Sequence, residues 1–220
     1  MEGLLASAER TTLLLDAIEA GRIKANELDL QQAKRLTDSR DKEIKERAVK
    51  LFASATPADR AKALADYQPV LKLPGDAKKG QVIFEKNCAV CHRIAGIGVN
   101  VAPDISDSRT KKLEQLLGDI LQPNRAIDNN YLGYNVRLQD GTVLTGILTA
   151  ETATSITLRQ QGGKDAVLSR SEIDELRSTG QSLMPEGLER QIPPPDMADL
   201  LSFIKNWRYL DGRTPVAGSP

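Results

Sequence analysis

The five residues Cys88-Ala89-Val90-Cys91-His92 constrain this chain more than any other stretch of it. They contain both cysteines and the only histidine among 220 residues. The C-x-x-C-H spacing is typical of covalent haem attachment, in which each thiol adds to one vinyl group of the porphyrin. The adjacent imidazole then lies beneath the ring and can ligate the iron. The motif therefore predicts one haem c, tethered by Cys88 and Cys91, with His92 as an iron ligand.

Three other uses of the cysteine pair fit the sequence less well. A thioredoxin-like dithiol expects a βαβ context and a helix start, whereas this pair follows a helical pattern. A structural zinc site needs four nitrogen or sulfur ligands, and two Cys with one His supply only three. A disulfide between Cys88 and Cys91 would close a very small, strained loop.

Amphipathic helices are predicted on both sides of the motif. Gly80, Phe84 and Cys88 recur every four residues and share one helix face. The glycine has no side chain, so a second helix can approach closely there. Residues 196–207 form a candidate partner, because three prolines precede them and they carry an apolar stripe at helical spacing: Leu200, Phe203, Ile204 and Trp207.

This arrangement resembles the class I cytochromes c, in which the helix before the haem motif crosses the C-terminal helix. The resemblance implies that a proline carbonyl after the motif accepts the Nδ1–H of the haem histidine and fixes its ring. Pro103, in Val101-Ala102-Pro103-Asp104-Ile105, is the candidate. The apolar residues expected to keep water from the haem are Ile94, Val101, Ile105, Leu116 and Leu188.

The second iron ligand is sought among the methionines, because a single histidine excludes bis-histidine ligation within one chain. Met1 is terminal, and Met197 falls inside the predicted last helix, where it fills the core. Met184 stands in a loop before that helix, and Pro185 biases it toward an extended backbone. This loop resembles the distal-ligand loop of class I cytochromes, so Met184 is the expected ligand; the alternative is a loop anchor in the core. His/Met ligation fills both axial positions and indicates electron transfer rather than catalysis.

The chain divides into three predicted parts. Residues 1–73 form short helices that resemble the end of a HEAT-like array, with a small independent bundle as the alternative. Residues 74–212 form the cytochrome domain, with a β-rich insertion at about 131–170 that includes a hairpin at Asp140-Gly141. Residues 213–220 form a flexible tail. The expected fold is mainly α, with helices around a haem, an inserted small antiparallel β-sheet or barrel, and a helical N-terminal segment.

Composition bears on partners and location. Lys plus Arg and Asp plus Glu both number 30, so the net charge is zero and no basic surplus argues for nucleic acid. No apolar run approaches the ~20 residues of a membrane span. The first ten residues lack the basic start and apolar core of a signal peptide, although haem attachment normally takes place outside the cytoplasm. We therefore expect a fragment of a periplasmic or otherwise exported protein, without its signal peptide; the alternative is a cytoplasmic chain in which the C-x-x-C-H spacing is accidental.

Residues 74 to about 209 together resemble the haem-binding domain at the C-terminal end of large planctomycete and related dehydrogenases. The matching pieces are the Gly80/Phe84 helix, the haem motif, the Asp140-Gly141 hairpin and the segment 182–189. In that family a helical-repeat segment precedes the cytochrome, and a β-propeller dehydrogenase lies further upstream. The resemblance implies a module that is not itself an enzyme and that passes single electrons from a dehydrogenase partner or fused domain to an acceptor.

Two alternatives from other functional classes stay open. One is a haem sensor or peroxidase-like enzyme, in which Met184 leaves the iron open to a substrate. The other is a haem-free adaptor, in which the β-rich insertion binds a protein or peptide.

Overall fold

The computed structural model describes residues 7–23, 28, 30–37, 39–52 and 57–210. In this part of the chain it contains seven α-helices and two β-sheets. The helices are α1 (Ala8–Glu19), α2 (Leu30–Thr37), α3 (Lys42–Phe52), α4 (Pro57–Tyr67), α5 (Ala77–Asn87), α6 (Leu113–Leu121) and α7 (Pro194–Asn206). The strands are β1 (Arg93–Ile94), β2 (Ile97–Gly98), β3 (Leu132–Leu138), β4 (Val143–Glu151), β5 (Ser155–Arg159), β6 (Asp165–Ser169) and β7 (Ile173–Ser182). The predicted tail, 213–220, lies outside the described residues.

Helices α5 and α7 cross at Gly80, as the sequence predicts. A Cβ at that position would lie 1.9 Å from the carbonyl oxygen of Asp199, so only glycine fits. One turn further along, the rings of Phe84 and Phe203 pack with 5.4 Å between their centroids, and both side chains are fully buried. The aspartate that precedes α5, Asp76, caps its first turn by accepting hydrogen bonds from the backbone N–H groups of residues 78 and 79. The crossing forms the centre of the main hydrophobic core.

Helix α4 also belongs to this core. Tyr67, at its end, is buried in the α5–α7 cluster together with Val70, although both precede the predicted domain boundary at residue 73. The Tyr67 hydroxyl lies 2.7 Å from the carbonyl oxygen of Glu189 and 2.9 Å from that of Ile192. Both oxygens belong to the segment just before α7, so the Tyr67 hydroxyl links the end of α4 to the start of the last helix by hydrogen bonds.

A buried ion pair strengthens this attachment. Arg60 of α4 donates two hydrogen bonds to the Glu189 carboxylate, of 3.0 and 2.7 Å, and the two side chains are only 8% and 13% exposed. Burial by itself would raise the pKa of Glu189, but the hydrogen bonds and the positive charge of Arg60 outweigh it and hold that pKa below its usual value of 4.5.

We therefore expect an acid-sensitive contribution to stability from this pair. The pKa of Glu189 is lower in the folded chain than in the unfolded chain, so the contribution is complete above about pH 4.5 and is lost as the pH falls through the folded pKa. Glu189→Gln should lower the unfolding free energy by about 2 kcal/mol at pH 7, and the deficit should shrink below pH 4.5. Urea unfolding followed by circular dichroism at pH 7 and pH 3.5 measures both quantities; a deficit that is the same at both pH values contradicts the assignment.

The first three helices form a second, smaller hydrophobic cluster around Leu15, Leu36 and Ile44. Arg47 of α3 joins α1 through hydrogen bonds to the carboxylates of Asp16 and Glu19. The resemblance of this part to a HEAT-like array stays a prediction.

Residues 132–182 form a five-stranded antiparallel sheet in the order β6-β5-β4-β3-β7. The predicted hairpin at Asp140-Gly141 joins β3 to β4, and Gly141 has the positive φ of +85° that this turn requires. The sheet continues past residue 170, where the predicted insertion ended, because β7 pairs with β3 on the far side of that strand. Closure of the sheet into a barrel stays a prediction.

The sheet also contacts the N-terminal helices. Arg35 of α2 donates a hydrogen bond of 3.2 Å to the carbonyl oxygen of Val143 in β4, and Arg40 forms an ion pair with Glu175 in β7. None of the described helices has the length and apolar character that a membrane crossing requires.

Candidate functional site

The Cys88–His92 motif begins where α5 ends. Cys88 is the C-terminal cap of the helix, and its N–H donates to the carbonyl oxygen of Phe84 at 2.8 Å. The chain then turns back, because the N–H groups of Cys91 and His92 both donate to the carbonyl oxygen of Cys88, at 3.0 and 2.8 Å. Both cysteines are free thiols and are half-buried. The helix end and the turn thus place the two thiols and the imidazole on one short, hydrogen-bonded segment.

The residues after the motif wrap around its backbone. The carbonyl oxygen of Ala89 accepts from Val99 N–H at 3.0 Å, and that of Cys91 accepts from Val101 and Ala102 N–H at 3.0 and 2.9 Å. Gly98, with φ +90°, passes so close that a Cβ there would lie 2.2 Å from the carbonyl oxygen of His92. The motif is therefore held by its backbone, which leaves its side chains available for chemistry.

The imidazole of His92 is fixed by Pro103, the residue that the sequence analysis selected. Nδ1 of His92 lies 2.9 Å from the carbonyl oxygen of Pro103. A carbonyl oxygen only accepts hydrogen bonds, so Nδ1 carries the proton and Nε2 of the neutral ring keeps its lone pair. Burial lowers the pKa of His92 and outweighs the opposite effect of the Pro103 hydrogen bond. The ring is therefore neutral at pH 7, which is the form that ligates metals.

The two thiols are protonated at neutral pH. Burial, together with the nearby Cys91, raises the pKa of Cys88 to about 12, and burial raises the pKa of Cys91 to about 11. A redox-active dithiol needs a thiolate, which requires a lowered pKa. The environment of this pair is the opposite of the one that a thioredoxin-like site provides.

Met184 lies beyond β7, in a loop that is anchored to the end of α6. Asn124 holds the loop from both sides: its Oδ1 accepts from Ser182 N–H at 2.9 Å, and its Nδ2 donates to the Glu186 carboxylate at 2.7 Å. The N–H of Met184 itself donates to the Ser182 hydroxyl at 3.0 Å. Sequence analysis did not select Asn124, since a single asparagine in a loop carries no signal of its partners.

The structure brings Met184 and Cys88 to the same hydrophobic core, where both are half-buried at its margin. Of the apolar residues predicted to surround the haem, Ile94, Leu116 and Leu188 are buried inside this core and Ile105 packs against it. Val101 is also buried. Met197, predicted as core filler, is fully buried in α7. Met184, Cys88 and four of the five predicted apolar residues thus belong to one hydrophobic core or pack against it.

The donor set at this site fits haem c. Two free thiols stand at the attachment spacing, one neutral imidazole keeps Nε2 free of its proton, and a thioether side chain lies at the same apolar core. In the part of the chain that the structure describes, no group of three or more His, Cys, Asp or Glu side chains is arranged to hold a metal ion.

One contact to the motif comes from a distant turn and was not predicted from the sequence. Gly162, in the turn between β5 and β6, donates its N–H to the carbonyl oxygen of Val90 at 2.9 Å. Arg159, at the end of β5, donates to the carbonyl oxygen of Asn100 at 3.2 Å. The Gly162-Gly163 pair signals a turn, but a turn sequence does not indicate what the turn will touch.

A comparison with curated proteins found no match to the chain. The model of the cytochrome c family matches residues 77–157. This range covers α5, the Cys88–His92 motif and the first strands of the large sheet, and it ends within β5, before the Met184 loop and α7. The match supports a cytochrome c-like, haem-binding electron-transfer domain in this part of the chain.

Proposed function

We propose that this chain is a c-type cytochrome module with one covalent haem, and that it relays single electrons without catalysing a reaction of its own. Cys88 and Cys91 would hold the porphyrin through thioether bonds, and His92 and Met184 would ligate the iron. Pro103 orients His92. When bound, haem c supplies an iron that cycles between the ferric and ferrous states and takes up one electron at a time.

The observation that carries this proposal is the contact between the His92 ring and the Pro103 carbonyl, beside two free thiols at haem-attachment spacing. The Pro103 carbonyl, 2.9 Å from Nδ1, fixes the tautomer in which Nε2 can donate to iron. The same hydrogen bond strengthens that donation, because it polarises the imidazole. A histidine with a purely structural role would need neither a fixed tautomer nor two free thiols at haem-attachment spacing beside it.

The surroundings favour electron transfer over catalysis at the iron. With His92 and the Met184 thioether as its ligands, the iron would have no vacancy for oxygen or substrate, and the thioether would raise its reduction potential. The apolar core around Ile94, Leu116 and Leu188 excludes water. A dry surrounding disfavours the more highly charged ferric state, which raises the potential further.

We further propose that the electron donor is a dehydrogenase, either a separate protein or a domain of the same polypeptide, and that the module works in the periplasm or another exported location. The support for the donor is the resemblance of residues 74–209 to the terminal haem domains of large dehydrogenases. The support for the location is the chemistry of the motif, because haem is normally attached to such cysteines outside the cytoplasm.

Production in a host that carries a cytochrome c maturation system tests the proposal. Intact mass spectrometry of the denatured chain should show the added mass of one haem, because thioether bonds survive denaturation. The alkaline pyridine spectrum should be that of haem joined through two saturated vinyl groups. The variant Cys88→Ser should retain a single thioether, with an altered pyridine spectrum, and the double variant Cys88→Ser/Cys91→Ser should carry no covalent haem. A colourless wild-type chain with the mass of the bare polypeptide would contradict the proposal.

A further inference from the structure

One turn of the large sheet forms a hydrogen bond to the backbone of the haem-attachment motif. Three of the four carbonyl oxygens of residues 88–91 accept hydrogen bonds from within the segment 91–102. The fourth, on Val90, accepts instead from Gly162, in the turn between β5 and β6. A carbonyl oxygen in the middle of the motif thus accepts from a residue of the inserted sheet, and with this contact all four carbonyl oxygens of residues 88–91 have a hydrogen-bond donor.

Two further contacts join the same turn to the loop that follows the motif. Arg159 donates through Nη1 to the carbonyl oxygen of Asn100 at 3.2 Å. Its other nitrogens are held by the Asp165 carboxylate in two hydrogen bonds, of 2.7 and 2.8 Å. Gly163 lies against Val99, since a Cβ at position 163 would be 3.4 Å from the Cβ of that valine. Asp165 therefore holds the Arg159 guanidinium on the sheet, in the position from which it donates to the loop.

The turn needs its glycines to make these contacts. Gly162 and Gly163 have φ values of +83° and +80°, a left-handed conformation that other residues adopt only with strain. Nothing lies within 4 Å of the place where a Cβ would stand at Gly162. The requirement for glycine there is conformational and does not come from a steric clash.

We infer that the turn between β5 and β6 is a clamp that holds the haem-attachment loop, residues 89–102, in its working conformation, with Gly162 and Arg159 as positioning residues. The clamp explains why a β-sheet is inserted in a mainly helical domain. The same sheet leads, through the end of β7, into the Met184 loop, so it supports both loops that carry the proposed iron ligands. Ligand loops held by a rigid element rearrange little when the iron changes its charge.

The meaning of the clamp for electron transfer rests on the proposed function, but the contact itself can be tested on the full chain as purified, with or without haem. Hydrogen–deuterium exchange by mass spectrometry reports the opening of residues 89–102. Arg159→Ala should speed exchange in this segment about tenfold, since a hydrogen bond from a charged donor is lost. Arg159→Lys keeps a charged donor and should restore most of the protection. Arg170→Ala is the matched control, because Arg170 also binds one carboxylate and one carbonyl on the sheet, at Glu151 and Thr152, away from the loop.

A second pair of variants changes only the turn conformation. Gly162→Ala and Gly141→Ala place a Cβ in open space at almost the same positive φ, +83° and +85°. Both should weaken their own turns, but only Gly162→Ala should speed exchange in residues 89–102, by about fivefold to tenfold. Equal exchange in all variants, or equal acceleration by the Arg159 and Arg170 substitutions, would overturn the clamp. Neither result depends on whether haem is ever attached, whereas a chain that never acquires haem overturns the proposed function and leaves the clamp standing.

Discussion

Gly80→Ala should destabilise the folded chain by about 3 to 5 kcal/mol. The added Cβ would lie 1.9 Å from the backbone oxygen of Asp199 and 2.8 Å from the Cβ of Phe203. One atom belongs to the backbone and the other is a Cβ fixed directly to it, so α7 would have to move away from α5. That movement would also separate the rings of Phe84 and Phe203, which pack at 5.4 Å.

Gly118→Ala is the matched control, since Gly118 is also a buried glycine inside a helix. There the nearest atoms to an added Cβ belong to the guanidinium of Arg125, at 3.7 Å, an ordinary contact distance. Alanine favours the helix over glycine, so Gly118→Ala should stabilise the chain by about 0.5 to 1 kcal/mol. Urea unfolding of both variants at pH 7 gives the two free energies. Changes of the same sign would contradict the close helix crossing at Gly80.

The helices of the core were predictable because their signals are local and periodic. The four-residue recurrence of Gly80, Phe84 and Cys88 marks one face of α5, and the stripe of α7 marks the face that meets it. Trp207, counted with that stripe, proves to be half-buried, with its indole N–H donating to the carbonyl oxygen of Ser106 at 3.0 Å. A helical pattern places the residue on the right face, but it does not reveal which polar atom an indole will find.

Strand β7 was missed because its sequence does not alternate. Ile173 to Ser182 is mostly polar, contains Gly180, and has no fully buried side chain. Its place in the sheet is set by backbone pairing with β3, and backbone groups leave no trace in a residue pattern. The sheet therefore extends beyond residue 170, where the predicted insertion ended, although it begins close to the predicted start at about 131 and contains the predicted hairpin at Asp140-Gly141.

Within the site, the sequence selects side chains but not the atoms that support them. Both cysteines and the only histidine stand together, and a proline follows at a spacing that the structure uses for the Nδ1 hydrogen bond of His92. The supports at Asn124 and Gly162 come from distant segments and act through amide or backbone groups. The ion pair of Arg60 and Glu189 could not be predicted either. The chain contains 30 Lys and Arg residues and 30 Asp and Glu residues, and their positions in the sequence do not indicate which of them pair.

Met184→Ala should change the iron site without changing haem attachment. If Met184 is the axial ligand, the variant keeps the mass of one haem but loses the weak long-wavelength absorption band of ferric iron bound to a thioether. Its reduction potential should fall by on the order of 0.1 V or more, because axial ligands set haem potentials over a range of about 0.8 V. The open position should also allow cyanide or imidazole to bind the ferric iron faster than in the wild type.

Met197→Leu separates this effect from the loss of a buried methionine. Met197 is fully buried in α7 and belongs to the same core. Leucine has a similar volume, so the variant should lower the unfolding free energy by less than about 1.5 kcal/mol and leave the ligands in place. Its spectrum and potential should match those of the wild type. If instead Met184→Ala keeps the thioether band and the wild-type potential, Met184 is an anchor of its loop, held through the Ser182 hydroxyl and packed on the core. A thioether band that persists in this variant would require another methionine as the second ligand, whereas a wild type that lacks the band would reopen the alternative of an iron site with an exchangeable position.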